Sequence, residues 1–206
     1  MKSLRVGLTG GIGSGKSAAL EAFKKSGAAI ISADAVVHAL SKPGKPGYRA
    51  IVRAFGKGVL VADGALDRSS LGEKVFKNAA MRRKLEKIVH PIVRREMKRR
   101  INAARGPVVV VDVPLLFENG LEGEFDLTIS VSAPRALRLK RVMRRDGLSK
   151  AAVERRMRAQ LPAKEKEKRA DVVLRNEGSL NLLRRSVGEY QRAFNLIGSS
   201  LRRSSR

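Results

Sequence analysis

Eight consecutive residues, Gly10-Gly11-Ile12-Gly13-Ser14-Gly15-Lys16-Ser17, constrain this chain more than any other part of its sequence. They fit the pattern G-x-x-x-x-G-K-[ST], and their flanks predict the local geometry. Leu4 to Leu8 reads as a short strand before the glycines. Lys16 to Lys25 reads as a helix after them, with Ala19, Leu20 and Phe23 at helical spacing and Gly27 beyond its end. The glycines let the backbone curl until successive N–H groups point inward at phosphate oxygens. The helix beginning near Lys16 adds the positive end of its dipole. Lys16 brings a point charge to the β and γ phosphates, and the Ser17 hydroxyl is a candidate ligand for Mg²⁺. Gly11, Ile12, Gly13, Ser14, Gly15, Lys16 and Ser17 are therefore the candidate phosphate-binding residues. A dinucleotide fingerprint is the competing reading, since Gly13-x-Gly15-x-x-Ala18 precedes Asp34 at a distance. It would place its first glycine directly after the strand and leave the lysine without a task.

The rest of the chain repeats the alternation of strand and helix. Short apolar runs occur at Ala28–Ser32, Val108–Val113, Leu127–Ser132 and Asp171–Leu174. The valines of the second run suit a strand buried on both faces of a parallel sheet. Strands separated by helical stretches predict an α/β sheet with right-handed crossovers. The stretch between the second and third strands is far longer than one crossover helix needs, so it reads as a helical subdomain. Within it, Met81–Arg105 carries ten basic and two acidic residues; a second helical excursion, Leu137–Arg169, carries thirteen and four. The Ser/Arg-rich end, Ser199–Arg206, is expected to fray.

Lys and Arg total 44 against 19 Asp and Glu, a formal charge of +25. Such a surface attracts polyanions of any kind. With aromatics at 4% and no Trp, the chain is poorly supplied for stacking single-stranded bases, and nucleic acid is not expected as a functional partner. No cysteine is present, which removes thiolate chemistry and disulfides and suits a reducing compartment. The longest apolar run, Val108–Phe117, is interrupted by Asp112 and Pro114, so no membrane span is expected. Met1 to Arg5 lacks the extended apolar region of a secretory leader, and a cytoplasmic protein is expected.

The strings that read guanine and the GTPase switch, Asn-Lys-x-Asp and Asp-x-x-Gly, do not occur. A small-molecule kinase needs a phosphate loop, an acceptor-binding insertion and a basic lid, and both excursions stand in that order. The run Gly7-Leu8-Thr9 leading into the loop resembles the opening of dephospho-CoA kinases. Ala33-Asp34, Leu66-Asp67-Arg68, His90-Pro91 and Asp112-Val113-Pro114-Leu115-Leu116-Phe117-Glu118 resemble the same family. So do Leu139-Lys140-Arg141, Arg145-Asp146-Gly147-Leu148-Ser149, Ala159-Gln160, Ala170-Asp171 and Asn176-x-Gly178. One position departs from it: Ser32 stands where family members often carry a first Asp of Asp-Ala-Asp.

The resemblance implies an α/β fold of the P-loop NTPase type, a three-layer sandwich on a mainly parallel sheet. Its core would be residues 1–34, 107–135 and 170–206, with a helical acceptor-binding insertion at 35–106 and a basic helical lid at 136–169. It implies ATP as donor with Mg²⁺, and dephospho-CoA as acceptor. Asp34, at a strand end where ligands bind in open α/β sheets, is the implied base or orienting group, beside its other reading as a helix N-cap. Arg141 is implied to reach the transferred phosphoryl group, with Arg145 as a rival; guanidinium geometry matches phosphate oxygens two at a time. Asn176 is implied on the adenine side, where an ordinary turn residue would also fit. Thr9, His90, Leu115 and Leu116 are implied on the acceptor side, although His90 before a proline also suits a structural role. Asp112, closing four valines, looks like a Walker B acid near Mg²⁺ or else belongs to the acceptor segment. Two alternatives stay open at this point: another P-loop kinase acting on a different acceptor, and a nucleic-acid-binding ATPase.

Overall fold

A computed structural model describes residues 3–203, save the side chains of residues 76 and 77. Two compact units emerge, Met1–Ile31 with Ile101–Arg206, and Ser32–Arg100. The first is built on five strands, β1 (Leu4–Gly10), β2 (Ala29–Ser32), β3 (Val108–Asp112), β4 (Leu127–Ser132) and β5 (Val172–Arg175), in the order β2-β3-β1-β4-β5. The pairings of β1 with β3, β1 with β4 and β4 with β5 are all parallel. Val108 to Val111 are fully buried, as a central strand covered on both faces requires.

One face of the sheet is covered by α1 (Lys16–Lys25) and the long α9 (Leu180–Arg203). Leu4, Val6, Leu8, Val108, Val110, Ile129 and Val131 pack there with Leu183, Val187 and Phe194. Phe23 of α1 stacks on Phe194 of α9 with ring centroids 6.4 Å apart. α9 continues past Ser199 to Arg203 rather than fraying, because Leu201 still packs on the core and Gly198 lies against the Pro107 carbonyl. Residues 204–206 of the expected frayed end fall outside the described residues.

The basic excursion after β4 forms α6 (Arg135–Asp146), α7 (Lys150–Arg158) and α8 (Ala163–Arg169), and it belongs to the same unit as the sheet. Two carboxylates act as ties, Asp171 of the Ala170-Asp171 string and Asp126. The Asp171 carboxylate accepts the Thr128 N–H and hydroxyl, both at 2.7 Å, and so fixes β5 against β4. Asp126 takes Arg5 through its Nε at 3.0 Å and through Nη2 at 2.6 Å.

The second unit contains α2 (Ala33–Leu40), α3 (Pro46–Phe55), α4 (Arg68–Lys77) and most of α5 (Ala79–Ala103). Its own small core gathers Ile51, Val59, Leu66 and Leu71, with Leu85 and Val89 of α5 against them. Asp67 caps α4 by accepting the Ser70 N–H at 2.9 Å. Pro91 lies inside α5: the ring removes one helical hydrogen bond, and at this exposed position water can satisfy the freed carbonyl.

Candidate active site

The phosphate loop runs from the end of β1 into α1. Gly13 and Gly15 hold φ of 78° and 92°, a left-handed conformation that strains any residue with a Cβ. A Cβ on Gly13 would come 2.6 Å from the Arg138 carbonyl oxygen, and one on Gly15 would collide with the Asn176 amide. Some loop N–H groups are already engaged. Ser14 N–H bonds the Gly11 carbonyl at 3.0 Å, and Ile12 N–H bonds Gln160 Oε1 at 2.9 Å. Among the described residues no acceptor takes the N–H groups of Gly13, Gly15, Lys16 and Ser17. Four open donors at the start of a helix form a cradle for an anion.

Lys16 closes one side of that cradle and makes an ion pair with Asp112, at the C-terminal end of β3. Both side chains keep some exposure, 17% and 15%, so the pair faces the open edge of the sheet. Ser17, at the second position of α1, is exposed with its hydroxyl unbonded among the described residues. Arg141, half-buried on α6, lies against the loop, with Nη1 3.5 Å from the Ser14 carbonyl and Nη2 3.3 Å from the Asn176 carbonyl. These are long contacts that leave the guanidinium available. Arg145, the rival, is exposed and joined to Asp146 at 2.6 Å.

The remaining implied positions sort into contacts and supports. Asn176 is buried; its amide nitrogen donates to the Ser14 carbonyl at 2.8 Å and its own N–H to Ser132 at 2.7 Å. It holds the phosphate loop through one of the two N–H groups of its amide. Thr9 is fully buried, with its hydroxyl donated to the Pro114 carbonyl at 3.1 Å, so it ties the 113–118 segment down and offers no atom to a ligand. Leu116 is likewise inside the core, while Leu115 is 41% exposed; of the two, only Leu115 presents a side chain outward.

In the second unit, Asp34 sits in the first turn of α2, exposed and with no bonded partner among the described residues. The N-cap is Ser32, whose hydroxyl accepts the Ala35 N–H at 3.2 Å. The serine that departs from the family pattern thus does the capping, and the Asp34 carboxylate is left for other use. His90 is exposed on α5, also without a bonded partner among the described residues.

Two residues that the sequence did not single out as site residues touch the loop. Arg138 of α6 is 8% exposed and donates from Nε to the Ile12 carbonyl at 3.1 Å. Burial, reinforced by the Arg135 charge, pushes its pKa below the ordinary value for arginine. Gln160, just after α7, bonds the Ile12 N–H as described.

Known proteins are similar to this chain over most of its length. The curated dephospho-CoA kinase of Anaeromyxobacter dehalogenans is 46% identical over 177 residues, 84% of each chain. The crystal structure of TT1252 from Thermus thermophilus superposes with a TM-score of 0.82 at 37% identity, covering 92% of this chain and 97% of that one. The dephospho-CoA kinase from Campylobacter jejuni gives 0.68 at 29%, with coverage of 93% and 96%. No described helix is long and apolar enough to cross a membrane. The sequence model of one family matches residues 4–181, which take in the cradle, Lys16, Asp112, Arg141 and Asn176 together, and on that ground the chain belongs to the dephospho-CoA kinase family.

Proposed function

We propose that the protein transfers the γ-phosphoryl group of ATP to the ribose 3′-hydroxyl of dephospho-CoA, giving ADP and coenzyme A. The observation that carries this reading is the cradle of four open N–H groups flanked by Lys16 and Arg141. Family membership supplies the acceptor. The nucleotide's phosphates settle into the cradle, and Lys16 exchanges its bond to Asp112 for the β and γ oxygens. The acceptor O3′ forms its bond to the γ-phosphorus while the bond to the bridging oxygen breaks, and that electron pair leaves with ADP. The O3′ proton passes to the free carboxylate of Asp34, which acts as base or orienting group. Lys16, Arg141 and the loop N–H groups neutralise charge on the equatorial oxygens.

Ser17 and Asp112 are an all-oxygen set suited to Mg²⁺, and no group of three or more acidic, His or Cys side chains among the described residues could hold a metal alone. Ser17 and Asp112 would hold the ion beside ATP, where it would draw charge from the nucleotide's phosphates. The insertion at 35–106 holds the acceptor, with Leu115 and His90 as contacts, and the 136–169 helices exclude water that would otherwise hydrolyse ATP. A soluble ATP-dependent reaction and a chain without cysteine suit the cytoplasm. The test is ADP release with dephospho-CoA beside AMP, shikimate and gluconate. Stimulation by dephospho-CoA alone is the expected result; an equal response to all four, or none to dephospho-CoA, overturns the acceptor assignment.

A further inference from the structure

The phosphate loop must hold each peptide in one orientation, although glycine neighbours make those peptides easy to turn over. A peptide is planar and trans, so its C=O and N–H point in opposite directions. Anchoring the carbonyl therefore aims the N–H of the next residue. The two peptides that feed the cradle at Gly13 and Gly15 both precede a glycine with positive φ, where a flip has little steric opposition. A flipped peptide would turn an oxygen toward the phosphates instead of a donor.

Both peptides are anchored by their carbonyls. The Ser14 carbonyl accepts from Asn176 at 2.8 Å, which aims Gly15 N–H. The Ile12 carbonyl accepts from Arg138 Nε at 3.1 Å, which aims Gly13 N–H. Gln160 fixes the preceding peptide by accepting the Ile12 N–H at 2.9 Å, and that peptide's carbonyl, on Gly11, takes the Ser14 N–H. Ile12 is thus gripped at both its N–H and its C=O from two different helical segments. Both grips engage the backbone of Ile12 and leave the open donors of Gly13 and Gly15 unoccupied. Arg138 is well placed for this: burial restricts its conformations, and a guanidinium keeps its proton and hence its donor at any working pH.

We infer that Arg138 and Gln160 are positioning residues of the phosphate loop, which hold Ile12 so that Gly13 N–H faces the nucleotide's phosphates. The inference rests on the proposed use of this loop for ATP. It separates two kinds of basic residue on α6, Arg141 toward the transferred group and Arg138 toward the loop backbone.

The test uses the full chain and four readouts: calorimetric affinity for Mg²⁺–ATP, KM for dephospho-CoA, thermal melting, and the ¹H–¹⁵N resonance of Gly13. Gln160→Leu removes the acceptor for Ile12 N–H and is expected to weaken ATP binding by about tenfold, the range of one hydrogen bond. Gln160→Glu keeps an oxygen in place and is expected to recover most of that loss. Arg138→Met is expected to weaken ATP binding at least as much and to abolish the large shift of the Gly13 resonance on adding ATP. KM for dephospho-CoA should change less than twofold in each. If Gln160→Glu and Gln160→Leu weaken binding equally, or the Gly13 resonance responds to ATP in Arg138→Met as in the parent, the positioning role is overturned. A general loosening would instead lower the melting temperature and raise both substrate constants together, and that outcome also overturns it. Should the parent bind ATP but fail to phosphorylate dephospho-CoA, the acceptor reading falls while the binding and resonance results still decide the role of Arg138 and Gln160. A parent that binds no ATP overturns both.

Discussion

Lys166 has no exposed side-chain surface, and its ammonium lies 2.8 Å from the Glu118 carboxylate. The same ammonium donates to the Pro114 carbonyl at 3.2 Å, and Glu118 also accepts the Leu161 N–H at 3.0 Å. α8 is thereby joined to the 113–118 segment that also receives Thr9. Removing one member leaves a charge without its counterpart in a mostly dry place. Lys166→Met should cost about 3 kcal/mol and lower the melting temperature by about 6–12 °C. Lys166→Met combined with Glu118→Leu should recover much of that loss, since an apolar pair of similar volume carries no stranded charge. Burial alone would raise the Glu118 carboxyl, but the Lys166 bond and two backbone N–H groups outweigh it and hold the pKa below the ordinary value. The stabilisation is present above the unfolded-state value and is lost as pH falls through the folded one. Lys166→Met should therefore flatten the acid limb of a stability–pH curve; a melting temperature within 2 °C of the parent would show that the pair contributes nothing.

Lys16→Ala leaves the glycine-built turn intact and removes the charge that moves to the phosphates. Its kcat should fall by about 10²–10³, the usual worth of such a transition-state group. Stability should change by no more than about 1 kcal/mol, because the pair with Asp112 keeps contact with water. Steady-state kinetics beside a melting curve checks this, and activity within a few fold of the parent would remove Lys16 from the mechanism.

Asp34 and Ser32 divide two tasks within one turn, and substitution should separate them. Asp34→Asn should cut kcat strongly while leaving the melting curve nearly unchanged. Ser32→Ala should do the reverse, costing about 1 kcal/mol as a lost cap with little effect on kcat. Asp34→Ala adds only the loss of a negative charge at a helix N-terminus, about 0.3–1 kcal/mol. A silent Asp34→Asn variant would rule out the proton-accepting role.

Arg141 and Lys150 are both cationic residues of the excursion after β4, but only Arg141 lies against the loop. Arg141→Ala should lower kcat far more than Lys150→Ala. Equal losses would mean that the helices act as a diffuse positive field, and the specific assignment of Arg141 would have to be withdrawn.

Features set by neighbours in sequence were legible from sequence. α1 spans Lys16–Lys25 and β4 spans Leu127–Ser132 as expected, because glycine boundaries and apolar spacing act within a few residues. What escaped was set by long-range contacts. Arg138 and Gln160 reach Ile12 across 126 and 148 residues; nothing local distinguishes Arg138 from its basic neighbours, and the Ala159-Gln160 string marked Gln160 as part of the resemblance without showing what it touches. The bonds made by Asn176 and Thr9 were hidden for the same reason: each side chain donates to a backbone carbonyl more than a hundred residues away. The different exposures of Leu115 and Leu116 were not legible either, because adjacent residues of an irregular segment face different ways, one into the core and one out.

The order β2-β3-β1-β4-β5 has a consequence for how the chain is made. β1 is made before the other four strands of this sheet, yet it occupies the middle, where its partners are Val108–Asp112 on one side and Leu127–Val131 on the other. At translation speeds of about 5–20 residues per second, β1 waits roughly 5–20 seconds for the first of those partners to be synthesised. During that interval Leu4, Val6 and Leu8 have no sheet to join, and both edges of the strand are open to other chains. Faster synthesis shortens that interval and should therefore raise the fraction recovered in folded form.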